Sequence, residues 1–189
     1  MYDKITQLFA GLIDGSERIQ KIVKSLKDFA RDNGPGTKEL VNINSVVDNA
    51  ITIVNTLIQK STNSFSLVLG KGLPSLIGNA QQLTQVIINL VTNSCQALRS
   101  REASLCLETA HDAEQNNPVV RVKDEGCGIP EADLKRIFDP FFTTKRELGG
   151  TGLGLSISYK IVKDHGGDLR LESQAGKGTT ATVTLPAAQ

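Results

Sequence analysis

Val119-Val120-Arg121-Val122-Lys123-Asp124-Glu125-Gly126-Cys127-Gly128-Ile129-Pro130 passes from an apolar-polar, strand-like run into a carboxylate, two glycines one residue apart, and a proline. The proline's fixed φ suits the first turn of a helix, so the stretch reads as strand, tight turn, helix. Glycines at this spacing let the backbone adopt positive φ and approach a flat ligand closely. Asp124, just before them, can accept a hydrogen bond from an exocyclic amine such as that of adenine, a charge-assisted contact worth about 1.5–3 kcal/mol. By itself the segment describes equally well a tight turn with a solvated aspartate. Its meaning depends on its flanks.

Outward from this turn, element types alternate. Upstream, the spacing of apolar residues predicts helices over residues 45–60 and 80–100, with a strand over 66–69 between them. Strands over 104–109 and 119–123 are joined by a polar connection, 110–118, that makes a hairpin loop. Downstream, a helix is expected over 130–138, then a Gly-rich loop and a helix over 153–164. A closing hairpin pairs 168–173 with 179–185 around Ala175-Gly176-Lys177-Gly178. Strands that pair antiparallel with helices gathered on one side make an α+β fold, a two-layer sandwich.

The Gly-rich loop, Gly149-Gly150-Thr151-Gly152-Leu153-Gly154-Leu155, opens a helix and so offers unpaired N–H groups and a positive dipole end to an anion. It lacks the Lys-Ser/Thr ending of a Walker A loop, and no strand runs directly into it as a dinucleotide fingerprint requires. Phe138-Asp139-Pro140-Phe141-Phe142-Thr143-Thr144-Lys145 precedes it, placing aromatic bulk as an anchor and Lys145 as a mobile point charge near bound phosphates. A loop between such an anchor and such a cradle resembles a lid, although its composition also fits a surface loop.

On the helix Gln81-Gln82-Leu83-Thr84-Gln85-Val86-Ile87-Ile88-Asn89-Leu90-Val91-Thr92-Asn93, Asn89 and Asn93 share one face. Their carboxamides either cap a polar patch or line a cavity where oxygen ligands are wanted. Mg2+ suits the second use, because it takes hard oxygen ligands and usually only one or two from protein. Taken alone the pair reads as solvated helix surface.

Residues 3–31 form an amphipathic helix in the sequence pattern: Ile5, Leu12, Ile19 and Leu26 recur every seven residues, with Leu8, Ile22 and Phe29 at the partner positions. Such a helix is roughly 40 Å long and too one-sided to stand without a partner helix. A plain packing helix and a dedicated dimerisation element both fit. Asn33-Gly34-Pro35-Gly36 then stops the helix and makes a domain boundary.

Composition excludes several classes. A formal net charge of +1 gives no concentrated basic patch for nucleic acid or an anionic membrane. Cys95, Cys106 and Cys127 have neither metal-ligand spacing nor disulfide density, which fits a reducing, cytoplasmic setting. No apolar run approaches the roughly 20 residues that span a bilayer, and the N-terminus lacks a signal pattern, so this segment is expected to be soluble whatever anchors a longer parent.

Taken together and in this order, the three constellations resemble the N, G1, F and G2 boxes of the Bergerat-type ATP-binding superfamily. That group includes sensor histidine kinases, type II topoisomerases, heat-shock-90 chaperones and mismatch-repair ATPases. The resemblance covers about residues 41–186, and Gly176-Lys177-Gly178-Thr179-Thr180 resembles the family's last box. It implies the Bergerat fold, with a mixed, mainly antiparallel sheet. It also implies that Asp124 binds the adenine amino group with support from Thr180, and that Gly126, Gly128 and Ile129 shape the base pocket. Asn93 ligates Mg2+ and Asn89 assists at the metal and triphosphate. Gly150, Thr151, Gly152, Leu153, Gly154 and Leu155 form the phosphate loop, with Lys145 as the γ-phosphate contact.

Position 89 chooses among the branches. Water-activating ATPases and the mitochondrial-type serine kinases of the superfamily carry Glu there as general base, and an amide cannot take a proton from water or a serine hydroxyl. Asn89 therefore favours a sensor kinase, whose acceptor imidazole is itself a nucleophile and whose catalysis is positioning and charge neutralisation. Phe141-Phe142-Thr143-Thr144-Lys145 and Gln96-Ala97-Leu98 resemble the nitrogen-regulation kinases; Gln96 departs from the Lys common near this position elsewhere.

The same resemblance makes residues 1–35 the second helix of a dimerisation and histidine-phosphotransfer domain, and 39–189 the catalytic ATP-binding domain. No histidine followed by an acidic residue lies in the N-terminal helix region, where such a domain carries its phosphoacceptor; the His111-Asp112 pair lies far from it. His111 falls in a predicted loop and His165 at a helix terminus, where imidazole can cap carbonyls. The expected function is thus the ATP-binding catalytic part of a two-component sensor histidine kinase, using Mg2+ and ATP. Its partners are a phosphoacceptor helix, a response regulator and a second copy through the first helix. Two other readings stay open: a nucleotide-binding regulatory module docking through its heptad helix, and a superfamily ATPase.

Overall fold

The computed structural model describes residues 38–145 and 150–188, together with Gly15, which is helical. The rest of the helix expected over residues 3–31 lies outside the described residues.

The chain begins with strand β1 (Glu39–Val41) and helix α1 (Ile43–Ser61), whose N-cap Asn42 accepts the Asn44 N–H at 2.9 Å. Ile43, Val46, Val47, Ala50, Val54 and Ile58 recur at helical spacing and are all buried. Strands β2 (Ser64–Val68) and β3 (Leu76–Gly78) follow, then α2 (Ala80–Ala97), capped by Asn79, which accepts the Gln82 N–H at 3.0 Å. Next are β4 (Ser104–Asp112), β5 (Asn117–Asp124), the single turn α3 (Glu131–Leu134), α4 (Gly154–Asp164), β6 (Asp168–Gln174) and β7 (Gly178–Thr184).

Five strands form the main sheet in the order β2-β4-β5-β7-β6, parallel between β2 and β4 and antiparallel elsewhere. Alternation puts Leu105, Leu107, Val120, Val122, Ala181 and Val183 on its inner face, where they share one apolar core with the buried stripes of α1, α2 and α4. The expected mixed, mainly antiparallel sheet with helices on one face is the fold of this chain.

Local differences have physical reasons. β1 and β3 pair as a two-stranded sheet (Leu40 opposite Ile77), and at three residues each they are too short to show periodicity in sequence. The hairpin of β4 and β5 reaches further than expected, turning at residues 113–116 with Asn116 at φ 56°, because polar residues extend its ladder beyond the apolar core. The helix expected over 130–138 stops after Leu134 and continues as turns, and that expected to reach residue 100 ends at Ala97.

Candidate functional site

A cavity of about 450 Å3 opens between α2, the turn after β5, the segment before residue 146, the start of α4, and β7. Its volume is in the range of ordinary small-ligand sites.

Asp124 forms its floor, only 3% exposed. Its carboxylate accepts the Ser94 hydroxyl at 2.8 Å and the Gly126 N–H at 2.9 Å. Burial raises its pKa above the ordinary aspartate value, against the pull of Ser94, the main-chain N–H groups of Gly126 and Thr179, and the Lys145 charge. β7 can run beside it because residue 178 is glycine: at φ 102°, any Cβ there would collide with the Asp124 carbonyl.

Register settles which threonine serves this floor. Thr179 is the ladder partner of Asp124 and lines the cavity. Thr180, expected to support Asp124, is paired with Lys123 instead, on the opposite face of the sheet, so Thr179 rather than Thr180 lies beside Asp124.

At the other end, Asn89 and Asn93 face the cavity from α2. Asn89 Nδ2 lies 3.3 Å from both the Gly154 carbonyl and Ser158 Oγ, tying α2 to the first turn of α4. Lys145 Nζ donates to the Asn93 carbonyl at 3.1 Å; burial lowers its pKa, opposed by Cys127 and Asp124. Gly150, Thr151, Gly152, Gly154 and Leu155 line the same end. Gly152 takes φ 71° and passes so close to Phe141 that a Cβ would strike its backbone; the Phe141 N–H donates to the Gly152 carbonyl at 3.0 Å. The aromatic anchor is formed by Phe138 against Tyr159 of α4, with ring centroids 4.7 Å apart, and by Phe142 under the Arg136 guanidinium at 4.6 Å.

Most of the residues singled out from sequence therefore meet at one cavity, Gly128 and Ile129 among them. Three do not line it. Gly126 is packed against Ala97, Leu153 is fully buried and anchors the loop from beneath, and Thr180 faces away. Sequence reasoning missed Ser94, Ser173 and Thr179. A signal for Thr179 was available in the period-two ladder, since Ala181 and Val183 mark the inward parity. Neither histidine lines the cavity: His111, exposed near the end of β4, bonds Asn116 Oδ1 at 2.9 Å, and His165 is a buried helix cap.

Residues 78–189 match the family described as histidine kinase-, DNA gyrase B-, and HSP90-like ATPase. The chain is 33% identical over 170 residues to the signal transduction histidine-protein kinase AtoS of Escherichia coli strain K12, covering 90% of this chain and 27% of that one. It is 32% identical over 173 residues to sporulation kinase E of Bacillus subtilis strain 168, covering 92% of this chain and 23% of the relative. Among solved structures, the catalytic domain of histidine kinase ThkA superposes with a TM-score of 0.68 at 30% identity, covering 80% of this chain and 99% of that one. Cavity, fold and matches define an ATP-binding domain of the sensor-kinase type. The chain belongs to the histidine kinase-, DNA gyrase B-, and HSP90-like ATPase family. It spans about a quarter of the length of the curated relatives it matches.

Proposed function

We propose that this chain is the ATP-binding catalytic part of a two-component sensor histidine kinase, and that it delivers the ATP γ-phosphoryl group to a histidine the chain does not carry. The observation that carries the reading is a buried carboxylate at one end of the cavity and a helix start with paired asparagines at the other. Asp124 accepts from the adenine amine, with Thr179 beside it. The free N–H groups opening α4 hold phosphate oxygens. Asn93, assisted by Asn89, would hold Mg2+ through amide oxygen, and the ion would neutralise charge on the transferring group. Mg2+ would be held jointly with phosphate, since it usually takes only one or two of its ligands from protein. Lys145 leaves the Asn93 carbonyl for the γ-phosphate.

Asn89 supports kinase over ATPase: its Nδ2 is engaged by Gly154 and Ser158, and an amide offers no base to water. In this reading residues 1–35 supply part of the dimerisation and phosphotransfer domain and 39–189 the catalytic domain. The partners are the phosphoacceptor helix, a response regulator and a second copy, and the setting is cytoplasmic. No described helix is long and apolar enough to cross a membrane.

Radiolabelled ATP, with Mg2+ and a supplied phosphotransfer helix pair, tests the proposal. Acid-labile label on the supplied histidine is the expected result. Tight ATP binding without transfer would leave a regulatory module, and steady phosphate release without an acceptor would restore the ATPase.

A further inference from the structure

Behind the floor of the cavity lies a small network centred on Ser173 of β6, the ladder partner of Thr179. Ser173 Oγ accepts the Ile129 N–H at 2.8 Å. It also lies 2.8 Å from the Gly178 carbonyl oxygen and 2.9 Å from Thr179 Oγ1. A carbonyl only accepts, and a serine hydroxyl has one proton and two lone pairs. The serine proton therefore goes to Gly178, and the two lone pairs meet the Ile129 N–H and the Thr179 hydroxyl. That makes Thr179 the donor in its contact with Ser173. Its one proton is committed away from the cavity, and what it can offer a ligand is lone pairs alone.

Asp124, the other polar group of the floor, is also an acceptor when ionised. We infer that Ser173 is a positioning residue that sets the hydrogen-bond polarity of the base pocket. By taking the Thr179 proton it leaves two acceptors side by side, a floor that suits the two amine protons of a 6-aminopurine; a 6-oxopurine can offer its N1–H to only one of them and sets its carbonyl oxygen against the other. This rests on the nucleotide reading above and deepens it. A threonine hydroxyl without such a partner rotates to suit either base and discriminates poorly, because it can donate to a carbonyl as readily as it accepts from an amine. Asp124 supplies the larger part of the preference through its charge; Ser173 adds the share of one neutral hydrogen bond that cannot be reversed.

The test is competition of ATP and inosine triphosphate against a fluorescent ATP analogue, using the full chain. Wild type is expected to prefer ATP. In Ser173→Ala the ratio of ATP to inosine triphosphate affinity should fall about tenfold, the share of one hydrogen bond. Ser173→Thr, which keeps the hydroxyl, should retain the ratio. A loss of function that is merely structural lowers both affinities by the same factor, and that result, or an unchanged ratio in Ser173→Ala, overturns the inference. Should Ser173→Ala not fold, Thr179→Val carries the same question, since it removes the acceptor itself; an unchanged ratio there overturns the inference equally. A wild type that binds no ATP removes the nucleotide reading and this inference together. A wild type that prefers ATP while Ser173→Ala keeps that preference removes this inference alone.

Discussion

The main-chain N–H of Asn79 donates to Nε2 of His165 at 3.0 Å, while Nδ1 of the same ring lies 2.7 Å from the Ile161 carbonyl. An N–H can only donate and a carbonyl can only accept, so the ring carries its proton on Nδ1 and is neutral. One bond lands on the N-cap of α2 and the other on the last turn of α4. Together with the contact of Asn89 with Gly154, they tie α2, which carries the asparagines, to both ends of α4, which follows the glycine-rich loop. His165→Asn reproduces the Nδ1 donor but leaves the Asn79 N–H without an acceptor, and should cost about 1–3 kcal/mol of unfolding free energy. His165→Gln reproduces the acceptor and should cost less. Urea unfolding of the two variants checks this; equal losses contradict it.

The register of β7 makes a prediction about neighbouring threonines. Thr179→Val should weaken ATP binding about two- to tenfold, the range for one neutral hydrogen bond. Thr180→Val, on the outer face, should leave it unchanged. Asp124→Ala should bring binding below detection by calorimetry. Reversed effects of the two valines would return the base contact to Thr180.

The Ser94 hydroxyl lowers the pKa of Asp124 against the larger effect of burial. If Asp124 accepts from the adenine amine as proposed, recognition needs the carboxylate ionised, so ATP affinity should decline as pH falls through the Asp124 pKa. Ser94→Ala removes the donor, raises that pKa further, and should move the decline to higher pH. Stability runs the other way. A carboxyl whose folded pKa is raised contributes stability below its unfolded pKa that is lost as pH rises through the folded value. The nucleotide-free chain should therefore lose this contribution over the same interval in which it gains affinity. Affinity and melting profiles against pH, measured on both proteins, test the pair of signs.

Gly152→Ala should separate the two ends of the cavity. The left-handed backbone costs alanine about 1–2 kcal/mol, and its Cβ meets the Phe141 backbone. The loop must shift, so ATP affinity should drop while adenosine affinity stays level. Parallel losses for both ligands would assign Gly152 to the fold rather than to the phosphates.

Much of this was legible in the sequence because apolar spacing and backbone chemistry are local. The stripe of Val46, Val47, Ala50, Val54 and Ile58 announces α1, and Gly150, Gly152 and Gly154 announce a loop opening a helix. What stayed hidden depends on distant pairings. β1 and β3 carry no period of their own and exist because each completes the other. Ser94 carries no local signal of its own; its role comes only from Asp124, brought from another element to 2.8 Å. Thr179 and Thr180 are chemically identical, and only the ladder with β5 says which one faces inward. Ser173 has no signal at all without the hairpin that sets it against Thr179.

The Lys145 ammonium resting on the Asn93 carbonyl has a consequence for the order of events. A bare divalent cation entering the cavity would meet a charge of its own sign at the asparagine proposed to hold it, whereas a cation already wrapped in phosphate oxygens would arrive with its charge reversed and attract the lysine. Titrating Mg2+ alone into the nucleotide-free chain should accordingly show no saturable site, whereas Mg2+ added together with ATP should show one. On the proposed reading, the lysine would act as a doorkeeper that favours the metal in company with its nucleotide.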